Sequence, residues 1–135
     1  MGSQPAHLPA TLDGFEAARR FLASCFDDRT PQVETLHVVH LDRCSRCVHL
    51  ATYPGGHVSI ALPVRSILSD VLRFETRALI LAHNHPGGEA TPSPADCRAT
   101  RILADALKAI GVTLVDHLVF ATSDECHSMR RLGLV

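Results

Sequence analysis

The chain has 135 residues, about the size of one ordinary domain, so one core and one functional site are expected. Hydrophobic residues make up 46% and charged residues 20%, a globular balance that excludes disordered and collagen-like classes. Thirteen Lys and Arg residues against 14 Asp and Glu residues give a net charge of −1, which disfavours nucleic-acid binding by charge alone.

The hydrophobic stretches and the cysteines indicate where the protein resides. The longest apolar runs, such as residues 78–82, are far too short to cross a membrane, and no basic-then-apolar signal segment opens the chain. The five cysteines are odd in number and unevenly spaced, unlike a secreted disulfide framework. We therefore expect a soluble, cytoplasmic protein with reduced thiols.

The N-terminal part of the sequence predicts a lead-in and a helix. Residues 1–12 contain Gly and Pro without sustained periodicity and are expected to be a flexible lead-in to a single domain at 13–135. Asp13 followed by Glu16 resembles a capping box, and apolar residues then recur at helical spacing. A first helix is predicted near 13–26.

A hairpin and a second helix follow. Residues 33–41 and 47–53 are rich in β-branched and apolar residues and flank a polar tip, which predicts a β-hairpin. A short strand is predicted near 57–61 after a Pro-Gly-Gly turn signal, and Pro63 suits the first turn of a helix. The residues expected on the buried stripe of this helix are Val64, Ile67, Leu68, Val71 and Leu72.

A buried strand and a long helix are predicted next. Residues 77–83 form a compact apolar run typical of a central strand, and residues 83–91 are rich in Gly and Pro and read as loop. Ser93 as N-cap and Pro94 at the first helical position begin a helix that Gly111 ends. The residues expected to face inward are Ala99, Ile102, Leu103, Ala106 and Ile110.

The C-terminal part completes an α/β pattern. Residues 112–121 predict another strand, and the tail from Ser123 is expected to form one more short helix. The order of helix, hairpin, helix, strand, helix and strand predicts a mixed sheet flanked by helices.

Two histidines at the end of the predicted central strand are the main chemical signal. His83 and His85 are two residues apart, so both side chains can project to one side if strand geometry persists. Catalytic zinc commonly takes three protein ligands, drawn from His, Cys and carboxylates, and leaves a fourth position to water. Asp96 lies one turn into the next helix, which the intervening loop can bring beside the strand end. The pattern therefore predicts a zinc site of His83, His85 and Asp96.

Two further residues are candidates for the chemistry of such a site. Ser93 and Asp96 are three apart on a helix and share a face, so the Ser93 hydroxyl could bond a developing oxyanion. A metal-bound water needs a general base, for which Glu34 at the start of an apolar hairpin strand is the candidate. Each piece alone has an ordinary alternative: two unremarkable histidines, a plain helix N-terminus or a solvated glutamate.

In combination these residues form a specific pattern. Glu34, the run His83-Asn84-His85-Pro86, Ser93 and Asp96 at their spacings resemble the JAMM motif of the MPN+ metallopeptidases. The resemblance implies that zinc is held by the two histidines and the aspartate, that Glu34 is the general acid/base and that Ser93 supports the oxyanion.

The flanking sequence narrows the resemblance to one branch. Residues 81–96, the pair Asp116-His117 and residues 128–133 are similar to the catalytic-type domain of the RadC family, over about residues 30–135. The resemblance implies a three-layer α-β-α sandwich with the cytidine-deaminase-like JAB/MPN fold. Two departures stand out. Gly87 replaces the Ser that is usual in the family, and the chain is too short for the family's N-terminal helix-hairpin-helix region, which weakens a DNA-repair role.

A second metal site is an open alternative. Cys44 and Cys47 form a Cys-x-x-Cys pair at the predicted hairpin tip, with His40 and His49 alongside, which is the composition of a small structural zinc knuckle. The two histidines lie in paired strands, however, where alternating side-chain directions can turn them away from the cysteines.

Asp116 and His117 are consecutive residues of a predicted core strand. Their side chains are expected to face opposite ways, so they cannot both join one site. We expect one of them to be a structural polar group with satisfied hydrogen bonds.

Three function classes follow. The favoured one is a zinc metallopeptidase or isopeptidase that hydrolyses the amide bond of a peptide or protein conjugate. The alternatives are a DNA-associated accessory protein, which rests on the family resemblance alone, and a non-catalytic metal-bound scaffold. No membrane partner is expected, and a homodimer is left open.

Overall fold

Eight secondary-structure elements make up the described part of the chain. The computed structural model describes residues 10–26, 33–55, 62–122 and 124–135. Within these ranges the elements are α1 (Phe15–Ala23), β1 (Thr35–Leu41), β2 (Cys47–Pro54), α2 (Val64–Arg73), β3 (Ala78–Asn84), α3 (Pro94–Ala109), β4 (Thr113–Phe120) and β5 (Cys126–Ser128). The strand expected near 57–61 and most of the lead-in expected at 1–12 lie outside the described residues.

The five strands form one mixed sheet in the order β2-β1-β3-β4-β5. β1 runs antiparallel to both β2 and β3, β3 and β4 are parallel, and β5 is antiparallel to β4. The parallel pair needs a long crossover, which α3 supplies. The expected α/β fold with a mixed sheet and the expected hairpin are confirmed.

Helices cover both faces of this sheet. Alternate residues of β1 point to opposite faces, as strand geometry requires. Leu36 and Val38 pack in the cluster that contains the buried residues of α2 and α3. Val39 and Leu41 pack in the cluster that contains Leu22 and the rest of the buried face of α1. The sheet is therefore the middle layer, with α1 on one face and α2 and α3 on the other.

The prediction of a helix in the tail after residue 123 is wrong, because residues 126–128 form β5 instead. This short strand pairs with the end of β4, for example Ser128 with Leu118, and so occupies backbone groups of β4 that would otherwise lack a strand partner. The Ser128 hydroxyl also donates to the buried carboxylate of Asp116. These long-range bonds outweigh the weak local preference for a helix.

The predicted capping box of the first helix is also wrong. Gly14, with φ of 97°, occupies the N-cap position of α1, and no side chain caps the helix. Glu16 instead pairs with Arg19 at 3.1 Å on the exposed side of the helix. The Glu16 carboxylate therefore pairs with a side chain of its own helix. Asp13 lies one residue before the N-cap position, so the two residues do not form a capping box. At α3, by contrast, Ser93 is the N-cap and Pro94 the first helical residue, as predicted.

The second helix starts as expected but buries a narrower stripe. Pro63 is the N-cap of α2, and Ile67 and Val71 are buried. Leu72 was expected in the stripe but is 71% exposed, because it lies one residue beyond the face that Ile67 and Val71 turn to the sheet. None of the helices within the described ranges is long and apolar enough to cross a membrane.

The inward face of α3 differs from the predicted one by one position. Ile102 is 64% exposed and Ile110 is 46% exposed, although both were expected to face the core. The buried residues of the helix are Asp96, Thr100, Leu103 and Leu107. These four share one face at helical spacing. Because Asp96 faces the end of β3, it sets the rotation of the helix, and the apolar residues next to that face are left at the surface.

This rotation can be tested with two neighbouring residues. Leu103→Ala should lower the free energy of unfolding by about 2–5 kcal/mol, because it opens a cavity at a fully buried position. Ile102→Ala is the matched control and should change stability by less than about 0.5 kcal/mol at an exposed position. Urea denaturation of both variants measures the difference. Equal losses would contradict the helix orientation described above.

Candidate metal centre

Three ligand atoms converge where β3 ends and α3 begins. His83 Nε2 lies 3.0 Å from His85 Nε2 and 3.4 Å from Asp96 Oδ2. His85 Nε2 lies 3.2 Å from the same aspartate oxygen. His83 and Asp96 are buried, while His85 is half-buried. The structure thus brings the three sequence-predicted ligands to one point.

The sheet explains why both histidines point the same way. His83 lies in the central strand β3, between Leu36 of β1 and Val119 of β4. Beyond the end of the strand, the His85 backbone N–H still donates to the Phe120 carbonyl at 2.8 Å. Pairing with β4 therefore continues to His85, and residues two apart on extended chain project to one face.

The start of α3 holds the aspartate. Ser93 Oγ accepts the Asp96 backbone N–H at 3.0 Å, and Asp96 Oδ2 accepts the Ser93 backbone N–H at 2.9 Å. This reciprocal capping box orients the carboxylate towards the histidines. The Ser93 hydroxyl accepts a bond here and keeps its own proton free to donate.

A chain of buried hydrogen bonds determines where His83 carries its proton. Thr100 Oγ1 donates to the Asp96 carbonyl at 2.7 Å, so it can only accept from His117 Nδ1, also 2.7 Å away. Burial holds the pKa of His117 well below its ordinary value, so the ring is neutral and its Nε2 bears a lone pair. That lone pair accepts from His83 Nδ1 at 2.6 Å. His83 Nε2 is thereby left as a free lone pair.

His85 is oriented in the same manner. Its Nδ1 lies 2.7 Å from the Glu89 backbone carbonyl, which can only accept, so Nδ1 carries the proton and Nε2 the lone pair. Two imidazole lone pairs 3.0 Å apart repel each other unless a cation lies between them. A proton taken up at Nε2 donates to Asp96 Oδ2, and this hydrogen bond raises the pKa of His85. The site therefore attracts positive charge.

The same cationic preference is visible at the aspartate. Burial raises the pKa of Asp96, but the hydrogen bonds that it accepts when Nε2 of His83 or His85 is protonated outweigh burial and hold the pKa well below its usual range. The carboxylate stays ionised, which is the form that a metal ion binds. Among the described residues, its close polar partners are the two rings and the Ser93 N–H.

The donor set and its spacing fit a zinc ion. Zinc binds imidazole and carboxylate at about 2.0–2.1 Å in tetrahedral geometry, which separates ligand atoms by about 3.3–3.4 Å. The three observed separations are 3.0, 3.2 and 3.4 Å. Three protein ligands leave one position of a tetrahedron open.

Glu34 stands beside these ligands. Its side chain is 11% exposed, and its Oε1 lies 4.0 Å from His83 Nε2. Burial raises the pKa of this carboxyl, although His83 and His85 oppose the shift. Asn84 holds the segment: its Oδ1 accepts the Thr35 backbone N–H at 2.7 Å, and its Nδ2 donates to the Val33 carbonyl at 3.2 Å.

The alternative cysteine–histidine site is not assembled. His40 and His49 are directly paired between β1 and β2, on the sheet face that α2 covers. Cys47 packs into the core on the α1 face, and Cys44 is exposed at the hairpin tip. Among the described residues, neither cysteine belongs to a group that could hold a metal ion.

The pair Asp116-His117 divides between the two faces as predicted. Asp116 accepts from the Ser128 hydroxyl and from the His117 and Arg130 backbone N–H groups, so its buried charge is paired by structural bonds. His117 turns the other way, to His83.

Comparison with known proteins identifies the family of the chain. The sequence profile of the RadC-like JAB domain matches residues 12–134. The chain belongs to the RadC-like JAB domain family.

Relatives of this RadC-like JAB domain are longer proteins. A UPF0758 protein of Paraburkholderia phytofirmans is 39% identical over 123 residues, which cover 90% of this chain and 46% of the relative. A UPF0758 protein of Paraburkholderia xenovorans is 44% identical over 91 residues, which cover 67% of this chain and 35% of that relative. A UPF0758 protein of Burkholderia cenocepacia is 38% identical over 96 residues, which cover 70% of this chain and 37% of that relative. The chain thus spans less than half the length of these relatives.

Three residues of the RadC-like site were missed by reasoning from the sequence: Asn84, Thr100 and His117. Asn84 lies between the two ligand histidines but serves the Glu34 segment instead. Thr100 follows Asp96 by one helical turn, which is a signal that could have been used. His117 is recognisable only once β4 is known to lie beside β3.

Thr100→Val tests the buried chain of hydrogen bonds. The change keeps the volume but leaves the His117 Nδ1–H without its acceptor, so the free energy of unfolding of the metal-free protein should fall by about 1–3 kcal/mol. Thr113→Val, at an exposed strand position, is the control and should have little effect. Urea denaturation measures both. A loss no larger at position 100 than at position 113 would refute the role given to Thr100.

Proposed function

We propose that this RadC-like JAB domain is a zinc-dependent hydrolase of the JAMM type that cleaves an amide bond, as a metallopeptidase or isopeptidase. The observation that carries the proposal is the convergence of two imidazole Nε2 atoms and one carboxylate oxygen within 3.4 Å, with a second carboxylate beside them. The bonds made by the two Nδ1 atoms leave both Nε2 atoms as lone pairs when the rings are neutral. A site built only for stability would not need two unprotonated nitrogens facing each other.

The chain's own residues supply binding, proton transfer and charge stabilisation. His83, His85 and Asp96 would hold zinc, which when bound lowers the pKa of a coordinated water towards neutrality and polarises a carbonyl. Glu34 would accept a proton from the attacking water and later return it to the leaving amine. Its raised pKa suits both directions of transfer.

Ser93 and the buried hydrogen-bond chain complete the mechanism. The Ser93 hydroxyl, held by the Asp96 N–H, donates to the negative charge that develops on the substrate carbonyl oxygen. His117 and Thr100 keep His83 in the tautomer whose Nε2 is free, and partners of this kind are important for metal affinity.

The remaining parts of the proposal rest on the family. The substrate is a peptide or a protein conjugate joined through an amide bond, the fold is the cytidine-deaminase-like JAB/MPN variety of α/β sandwich, and the location is the cytoplasm. A homodimer is compatible with the site, which is formed by residues of one chain.

The zinc content of variants tests the three proposed ligands. His83→Ala, His85→Ala and Asp96→Ala should each remove about one zinc equivalent per chain, because each deletes one of three ligands. Elemental analysis after dialysis against trace zinc measures it. The double variant Cys44→Ser/Cys47→Ser is the control and should keep the wild-type zinc content. Undiminished zinc in all three ligand variants would place the metal elsewhere.

A variant of Glu34 distinguishes an enzyme from a metal-bound scaffold. Glu34→Gln should keep zinc and fold but lower the hydrolysis rate by about a hundredfold or more, since an amide cannot accept the water's proton. Glu125→Gln, at an exposed position, is the matched control. Peptide and carrier-protein isopeptide substrates are compared at equal zinc loading. Equal rates in wild type and Glu34→Gln would remove Glu34 from the mechanism, and no hydrolysis by any form would favour the scaffold.

A further inference from the structure

A second cluster of histidine and carboxylate side chains lies under α2. His40 on β1 pairs directly with His49 on β2, and Asp70 on α2 joins them. One ring nitrogen of each histidine and one carboxylate oxygen lie within 4.8 Å of one another. His49 Nε2 and Asp70 Oδ2 are 3.6 Å apart.

This cluster is separate from the metal centre at the end of β3. His40 pairs with Leu79 near the start of β3, whereas the ligand His83 pairs with Leu36 at the other end. The two positions on β3 are four residues apart, or about 13 Å at the usual rise of a strand. An ion bound at one cluster cannot share ligands with the other.

His40 carries an unexplained polar atom. The residue is completely buried, and its Nδ1 is bonded to Thr76 Oγ1 at 2.7 Å. Its Nε2 is the one buried side-chain nitrogen or oxygen in the described part of the chain that has no hydrogen-bond partner. Neither tautomer of the ring removes the problem, because Nε2 would be an unpaired donor in one and an unpaired acceptor in the other.

The other two residues of the cluster each have one protein contact and are partly open to solvent. The His49 ring stacks on Phe74 at a centroid distance of 4.0 Å, and Tyr53 donates to Asp70 Oδ2 at 3.5 Å. The side chains of His49 and Asp70 are 24% and 25% exposed. An ion can therefore reach the buried nitrogen of His40 from their side.

We propose that His40, His49 and Asp70 form a second binding site, for a divalent transition-metal ion of the zinc class. Two imidazoles and one carboxylate are a ligand set that zinc accepts, with a fourth position left to water. The Thr76 hydroxyl accepts the Nδ1 proton of His40, and outer partners of this kind orient metal-binding histidines. A bound ion supplies the partner that Nε2 lacks and joins β1, β2 and α2.

The test uses zinc itself in a chain whose first site is disabled. In the His85→Ala/Asp96→Ala background, isothermal titration of the metal-free protein with zinc chloride should show binding of about one ion per chain. Adding Asp70→Asn should weaken this binding by more than about tenfold, because a direct ligand matters more than an outer partner. Adding Asp105→Asn, which removes the same charge at an exposed position of α3, should leave it unchanged.

A second arm does not depend on that background. Asp70→Asn in the otherwise native chain should lose about one zinc equivalent while hydrolysis and the zinc of the first site are kept. His40→Phe, which fills the buried space with an apolar ring, should give the same loss. Circular dichroism confirms the fold of each variant. No zinc binding in the disabled chain, or equal zinc content and affinity in Asp70→Asn and Asp105→Asn, overturns the second site whatever the outcome at the first.

Discussion

A buried carboxylate in the first turn of α3 is the constraint on which the candidate site depends. Asp96 is 6% exposed and ionised, and a charge removed from water needs close partners to offset its desolvation. The Ser93 backbone N–H is one such partner, and a proton or metal ion held with Nε2 of His83 and His85 would supply the positive charge. Loss of one partner from a buried charged pair typically costs about 3–5 kcal/mol. The contact therefore joins the start of α3 to the end of β3 and sets which face of the helix turns inward.

The same contact extends into a network across three elements. From the Asp96 carbonyl, hydrogen bonds run through Thr100 on α3 to His117 on β4 and on to His83 on β3. In this network the direction of each hydrogen bond is determined by the next one along. The position of the proton on each neutral ring is therefore fixed. Packing and hydrogen bonding thus orient the ring of His83 without the help of a bound ion. It is what the proposed metal centre has beyond histidines that are only near each other.

The sequence was sufficient for the parts of the fold and site that depend on local spacing. Ser93, Pro94 and Asp96 define the start of α3 by rules that involve four consecutive residues, and the strand of residues 78–84 is evident from its apolar run. The rotation of α3 could not be predicted in the same way. Ile102 and Leu103 are both apolar neighbours, and only the contact of Asp96 with β3 decides which of them is buried.

Of the other errors, one is local and two have the same origin. A capping box at Asp13 fits the local pattern, but Gly14 takes the N-cap position, and the tail forms β5 because the edge of β4 is there to pair with it. His117 could not be assigned to the site before β4 was placed beside β3. Interactions between elements distant in sequence decided the cases of the tail and of His117, and periodicity within one element carries no information about them.

The two histidine–carboxylate clusters contain the same types of donor but differ in how their carboxylates are held. Asp96 is fixed by a capping box at a helix terminus, and its ligand atoms are already at 3.0–3.4 Å from one another. Asp70 lies in the last turn of α2, away from the free backbone N–H groups at the start of the helix, and its cluster spans up to 4.8 Å.

An ion at the second cluster must therefore draw half-exposed side chains together, and part of its binding free energy is spent on ordering them. At the first cluster that ordering is already present in the fold. Preorganisation, rather than ligand type, should thus make the centre at the end of β3 the tighter of the two, and the network through Thr100 and His117 is the physical source of the difference.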